Sequence, residues 1–181
     1  MSDLPTSPDA LLARLDELGI RTETVSHDPV FTVEESQTLR GPGGALSGPG
    51  GHCKSLFLKD KKGQLWLVVA DEDRKVDMKA LQGAIGSGRL SFGKPDLLFE
   101  VLGVRPGSVT PFALVNDTGR QVKVILDAAM MKKAPLHYHP LLNDRTTRIA
   151  PDDLLRFIAA CGHEPMVVDL DAADAGPPAA G

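Results

Sequence analysis

The chain has 181 residues, 20 Lys and Arg against 24 Asp and Glu, and a net charge of −4, the size and balance of one ordinary globular domain. With 42% hydrophobic residues and only two cysteines, it can bury a core without disulfides or metals, which excludes the disulfide-stapled and fully disordered classes. Its longest uninterrupted apolar run, residues 65–70, is far too short for a membrane-spanning helix. Asp3, Asp9, Asp16 and Glu17 stand against Arg14 alone in the first 20 residues, the wrong charge for a signal or transit peptide, so a cytoplasmic protein is expected.

Ser7-Pro8-Asp9 predicts a helix by its N-cap residue and first-turn proline, with Leu11, Leu15 and Leu18 as the apolar stripe and Gly19 as the stop. A short strand follows over 21–26. Thr32-Val33-Glu34-Glu35 has the form of a capping box and predicts a helix to about Arg40. Residues 41–51 contain eight Gly or Pro and predict a mobile loop. Strands over 53–59 and 64–70 are expected to pair as a hairpin around Lys61-Lys62-Gly63.

Further along, 77–85 predicts a helix, 89–92 a strand and 95–102 a helix opened by Pro95. Strands over 112–115 and 121–126 are expected to form a second hairpin about Asn116-Asp117-Thr118-Gly119, followed by strands at 136–139 and 145–149. Pro151-Asp152-Asp153 opens a last helix that Gly162 ends, and 166–170 predicts an edge strand. Residues 171–181, small and with Pro177-Pro178, predict a disordered tail. The fold class expected is α+β: a single domain over 1–170, with a mixed, mostly antiparallel sheet and flanking helices.

Charge is segregated. Residues 51–150 carry 16 Lys and Arg against ten Asp and Glu, while both flanks are acidic; such a middle suits a partner with phosphates. Aromatic residues make up only 4%, too few for a surface that stacks many single-stranded bases. Contact with a nucleic acid is therefore expected at phosphates and at one end.

Gly48-Pro49-Gly50-Gly51-His52-Cys53-Lys54-Ser55 approaches a phosphate-binding P-loop, but such a loop must run into a helix, and Ser55-Leu56-Phe57-Leu58 predicts a strand. Lys54 instead stands at the start of a strand behind a glycine loop, where a cation can face a pocket. His52, His137 and His139 have no acid at ligand spacing, so no metal and no cofactor is expected. Cys53 reads as a buried thiol. Gly107-Ser108-Val109-Thr110-Pro111 is a turn with hydroxyls and backbone amides able to meet a ligand. Residues 139–147, with Asn143 and Asp144, offer hydrogen-bonding side chains in a connection whose plainer reading is turn chemistry.

Taken together, Val30-Phe31-Thr32-Val33-Glu34-Glu35, Lys54-Ser55-Leu56-Phe57-Leu58-Lys59-Asp60, Arg89-Leu90-Ser91-Phe92, Pro106-Gly107-Ser108-Val109-Thr110-Pro111-Phe112 and His139-Pro140 with Asn143 and Thr146 occur in an order that resembles the YbaK-like prolyl-tRNA editing family. That family is related to the insertion domain of bacterial prolyl-tRNA synthetases, and the likeness is greatest to its freestanding deacylases of alanine mischarged on proline tRNA. The resemblance spans about residues 5–165. It implies an aminoacyl-tRNA deacylase in which Lys54 engages the terminal nucleotide, Gly107, Ser108, Thr110 and Pro111 line the reaction site, and His139 recognises the aminoacyl group. It also implies that Asn143 and Thr146 share that block, and that Phe31 and Val33 wall the pocket close to Lys54 and His139. The family needs no metal and uses a water assisted by the terminal ribose hydroxyl. Ser55 stands where many relatives have Asn, and the 41–51 loop is longer and richer in Gly and Pro than usual.

The implied partners are the acceptor end of proline tRNA and the prolyl-tRNA synthetase, without a membrane. A synthetase pocket built for proline excludes alanine poorly, since a missing methylene costs only about 1–3 kcal/mol; a second, hydrolytic pocket can admit alanine and refuse proline by overlap. Deacylation of another mischarged residue, cysteine or serine, and a non-catalytic aminoacyl-tRNA- or synthetase-binding module are the alternative functions.

Overall fold

In the computed structural model, which describes residues 3–29, 33–40, 44, 46 and 48–170, helix α1 (Pro8–Glu17) begins where the sequence expects. The Ser7 hydroxyl accepts from the Ala10 N–H, Pro8 occupies the first turn, and Gly19 leaves the helix with φ +72°. Strand β1 (Thr22–Ser26) and helix α2 (Val33–Arg40) follow. The capping-box residue Thr32 lies outside the described residues, as do Phe31, 41–43, 45, 47 and the 171–181 tail.

Strand β2 (Gly51–Asp60) begins earlier than predicted, inside the glycine-rich stretch. Lys54 and Ser55 are part of this strand, a geometry that excludes a P-loop there. Leu46 is not loose either: it is 5% exposed and its N–H donates to the Leu39 carbonyl at 2.8 Å. Strand β3 (Leu65–Asp71) pairs antiparallel with β2, and Asp60 shapes the turn between them by accepting from the N–H groups of Lys62 and Gln64 at 2.9 and 3.0 Å. Helix α3 (Met78–Ile85) is capped by Asp77, strand β4 (Leu90–Phe92) is short, and helix α4 (Pro95–Leu102) starts at its proline.

The predicted second hairpin does not form. Residues 111–116 make a 3-10 turn (Pro111–Asn116), with the Thr110 hydroxyl accepting from the Phe112 N–H. Pro111, Phe112, Ala113 and Leu114 are all buried; when a short apolar run is buried on every side, periodicity cannot separate strand from helix. Strand β5 (Val122–Asp127) therefore pairs parallel with β3 instead of antiparallel with its neighbour in sequence. Strands β6 (Leu136–Tyr138) and β7 (Arg145–Ile149), helix α5 (Pro151–Ala160) and strand β8 (Met166–Val168) complete the chain.

The sheet runs β1-β7-β6-β2-β3-β5-β8, with β4 added against β2, and β8 takes the predicted edge position. It is mixed: β1 with β7, β2 with β3, β2 with β4 and β6 with β7 are antiparallel, whereas β2 with β6, β3 with β5 and β5 with β8 are parallel. Leu65, Leu67 and Val69 pack with Leu11, Leu15, Leu102 and Phe157 in the larger core, from α1, α4 and α5. Trp66, Val68 and Ala70 pack with Leu81 and Ile85 of α3 on the other face. Burial on both faces explains why β3 reads as an unbroken apolar run instead of an alternation.

Candidate active site

β2 is shared between two halves of the sheet. Its first residues, Gly51 and His52, pair with Leu136 and His137 of β6, and its last, residues 58–60, pair with β4 on the same side. Between these ladders, residues 53–56 have no strand partner on that side among the described residues. Lys54 stands in this gap. The parallel pairing of β2 with β6 stops at His52 and His137, two residues before Lys54 and His139 respectively. Parity along β2 puts Lys54 on the face of Leu56 and Leu58, opposite Cys53 and Phe57.

Lys54 is half-buried, and its ammonium donates to the Arg74 carbonyl. Burial pushes its pKa below the ordinary lysine range, while Glu72 and Asp73 nearby oppose the shift. The Arg74 loop is itself fixed, because the Arg74 Nε donates to the fully buried Asp127 carboxylate at 2.9 Å. A cleft of about 690 Å³ opens beside it, lined by Gly50 and His52, by Asp71, Asp73, Arg74, Lys75 and Asp77, and by Lys133, which pairs with Asp71 at 3.0 Å.

His139 sits in a different cluster from His137, because the strand predicted over 136–139 stops one residue short of it. β6 ends at Tyr138. The His139 Nδ1 lies 2.9 Å from the Arg145 carbonyl, and its ring is 6.3 Å from that of His27. The His27 Nε2 lies 2.7 Å from the Thr146 hydroxyl. Asn143 is half-buried in the same β6–β7 connection, which is pinned by the fully buried Leu141. Sequence reasoning missed His27: its partner Thr146 is 119 residues away, and a lone histidine after a short strand carries no local signal.

Burial holds the His139 imidazole below the usual histidine range, with His27 adding to the effect and the Arg145 carbonyl opposing it. The ring is therefore neutral at pH 7. The unfolded side chain titrates near 6.5, so just below that pH the unfolded chain binds more protons than the folded one, and stability falls as the pH drops through the window. His139→Gln is expected to flatten that decline, measured as melting temperature between pH 7.5 and 5.0; identical slopes would place the titration elsewhere.

His52 and His137 are stacked, with centroids 4.2 Å apart and planes at 13°. The His137 Nε2 accepts from the Arg148 Nε at 3.1 Å, which leaves its proton on Nδ1, 3.0 Å from the Gly51 carbonyl. Both ring nitrogens are thus occupied within the protein. No group of three His, Cys, Asp or Glu able to hold a metal occurs among the described residues. The Cys53 thiol is pushed up to about 12, chiefly by burial, so a thiolate nucleophile is absent near neutrality.

The Gly107–Pro111 turn lies on the larger core. Gly107 is exposed with φ +91°, and Val109 packs against the core. The Ser108 N–H is already used on the Arg105 carbonyl at 3.0 Å, and the Thr110 hydroxyl caps the following turn. Of the amides expected to meet a substrate, those of Gly107 and Val109 make no hydrogen bond among the described residues. The Phe112 and Tyr138 rings form a T-shaped pair with centroids 5.9 Å apart, which links the turn to β6. Among the described residues no hydrogen bond or ion pair joins Lys54, His139 and this turn to one another. Val33 opens α2, while its side chain and Phe31 lie outside the described residues.

The aminoacyl-tRNA editing domain family matches residues 27–157, a span that contains β2, the 107–111 turn and His139. The chain is 37% identical to the prolyl-tRNA editing protein ProX of Acetoanaerobium sticklandii, over 89% of this chain and 96% of that one. It is 40% identical to the prolyl-tRNA synthetase associated domain-containing protein 1 of Bos taurus, over 90% and 94%. A solved structure of a candidate trans-editing enzyme for prolyl tRNA synthetase superimposes with a TM-score of 0.66 at 18% identity, covering 93% of this chain and 98% of that one, a likeness of fold. No helix among the described residues is long and apolar enough to cross a membrane. By the extent of these matches, laid over the sheet and site just described, the chain belongs to the aminoacyl-tRNA editing domain family.

Proposed function

We propose that this editing-domain protein is a trans-acting deacylase that removes alanine from mischarged proline tRNA in the cytoplasm, alongside the prolyl-tRNA synthetase. The observation that carries the reading is Lys54, a half-buried cation on the stretch of β2 that has no strand partner on the β6 side, with the neutral His139 following directly on β6. A half-buried ammonium is suited to hold the phosphate of a terminal nucleotide. The relatives named for prolyl-tRNA editing supply the choice of tRNA.

The chemistry required is addition of water to the ester carbonyl and cleavage of the bond to the ribose oxygen, giving free alanine and a terminal hydroxyl. With Cys53 protonated, water is the nucleophile, and the substrate's own ribose hydroxyl is suited to orient it. The Gly107 and Val109 amides can take the charge that develops on the carbonyl oxygen. Ser108, Thr110 and Pro111 hold that turn in shape. His139, with Asn143 and Thr146, meets the aminoacyl group; Phe31 and Val33 supply the wall that admits a methyl and refuses a proline ring.

The test is deacylation of alanyl-, seryl-, cysteinyl- and prolyl-tRNA by purified protein. Alanyl-tRNA of the proline acceptor is expected to be hydrolysed at least about tenfold faster than the others, the discrimination that a wall near van der Waals contact provides. Preference for the seryl or cysteinyl ester would reassign the substrate; tight binding with no hydrolysis of any would make the chain a binding module.

A further inference from the structure

The end of the sheet away from Lys54 concentrates cations that the proposed chemistry does not use. β2 nears its end at Lys59, the β2–β3 turn exposes Lys61 and Lys62, Arg89 precedes β4 and Lys123 stands on β5. Lys123 shares the α3 face with its register partner Trp66, Lys61, Lys62 and Arg89 crowd the strand ends beside it, and Lys59, with the parity of Phe57, flanks them on the opposite face. Lys59 is in register with Ser91, the Lys61 N–H donates to the Arg89 carbonyl at 2.9 Å, and the Lys123 ammonium lies 5.2 Å from the centre of the Trp66 ring. All five are exposed, and none makes an ion pair among the described residues.

The carboxylates at this end are turned inward. Asp60, 5% exposed, accepts from the N–H groups of Lys62, Gln64 and Gly88 and from the Trp66 indole. Asp117, 1% exposed, is held by the N–H groups of Gln121 and Val122 and by His163. Glu164 is the exposed acid at the margin, just before β8. A depression of about 400 Å³ lies between Lys62 and Lys123, with Trp66 among its lining residues. Exposed cations around a shallow recess, with Asp60 and Asp117 withdrawn and Glu164 at the margin, make a predominantly positive surface.

Five strand residues separate Lys54 from Lys59, about 17 Å at the rise of an extended strand. That span exceeds one aminoacylated nucleotide, so a ligand seated at Lys54 reaches the patch only if it continues as a longer polyanion. We propose that this end of the sheet binds the sugar–phosphate backbone of the tRNA acceptor stem behind the aminoacylated end. The inference rests on the deacylase reading and names where the same substrate is held. The contact is to phosphates and carries affinity without base sequence.

The test uses the full chain with Lys61→Gln, Lys62→Gln and Arg89→Gln combined, on two substrates: full-length alanyl-tRNA, and a short alanyl oligonucleotide comprising the single-stranded 3′ end. For the full-length substrate KM is expected to rise about tenfold with kcat within about twofold, and the slope of log affinity against log salt to become shallower by about 2, as for the loss of two to three phosphate contacts. The short substrate is expected to be hydrolysed at the wild-type kcat/KM. Equal losses on both substrates, or no loss on either, would overturn the assignment; the latter is also the result expected if the patch instead receives an acidic protein. Should wild type hydrolyse neither substrate, the deacylase reading fails. Binding of uncharged tRNA then decides the patch separately, and equal affinity of wild type and variant would sink it.

Discussion

Replacing Lys54 with Met is expected to lower kcat/KM for deacylation about 100-fold while the melting temperature stays within a few degrees of wild type. The aliphatic stem is kept, and in the free protein the ammonium makes one hydrogen bond, to the Arg74 carbonyl, an interaction whose net contribution to folding is about 1 kcal/mol. Its charge is partly desolvated before any substrate arrives, so an anion placed there meets a cation that is already stripped of some of its water. A charge-assisted contact of about 2.7 kcal/mol corresponds to the 100-fold loss. Lys54→Arg should recover only part of the activity, because a planar fork does not reproduce a point charge in a gap between two strands. Turnover near wild type in the Met variant would remove Lys54 from the site.

The second large effect is expected one layer deeper. Asp127 is fully buried at the end of β5; one carboxylate oxygen receives the Arg74 Nε at 2.9 Å and the other the Ala129 N–H at 3.2 Å. Asp127→Ala takes this partner from Arg74, whose side chain is only 11% exposed, and a loss of about 3 kcal/mol of stability is expected in urea unfolding. Lys54 is tethered to the Arg74 carbonyl, so activity should fall too, through positioning and not through direct contact. The expected signature at a temperature where the variant remains folded is a higher KM with a smaller change in kcat. A variant as stable as wild type would mean that Arg74 finds an equivalent partner in solvent.

Much of this architecture is legible in the chain because its signals are local. Ser7-Pro8, Asp77, Pro95 and Pro151 mark helix starts where α1, α3, α4 and α5 begin. Residues 65–70 declare a strand covered on both faces, and the strand after Lys54 is enough to discard a nucleotide-binding loop. The order of five short blocks points to the editing family, and the same blocks carry Lys54, the Gly107 turn and His139. Each of these signals depends on a few adjacent side chains and the backbone between them.

The remainder depends on which distant residues meet. The 111–116 segment is a 3-10 turn whose first four residues are buried, and a short run of apolar residues carries no period to announce that. The parallel pairings of β3 with β5 and β2 with β6 follow from crossovers, which leave no mark in either strand. His27 joins His139 through Thr146, and Asp127 reaches Lys54 through Arg74, each across a long separation in sequence. Thus the sequence by itself determined most of the elements and the family, by caps, periodicity and short motifs. Only the tertiary structure decided the gap in β2, the neutral histidine of the β6–β7 connection and the cations at the far end, because burial and pairing are properties of the assembled chain.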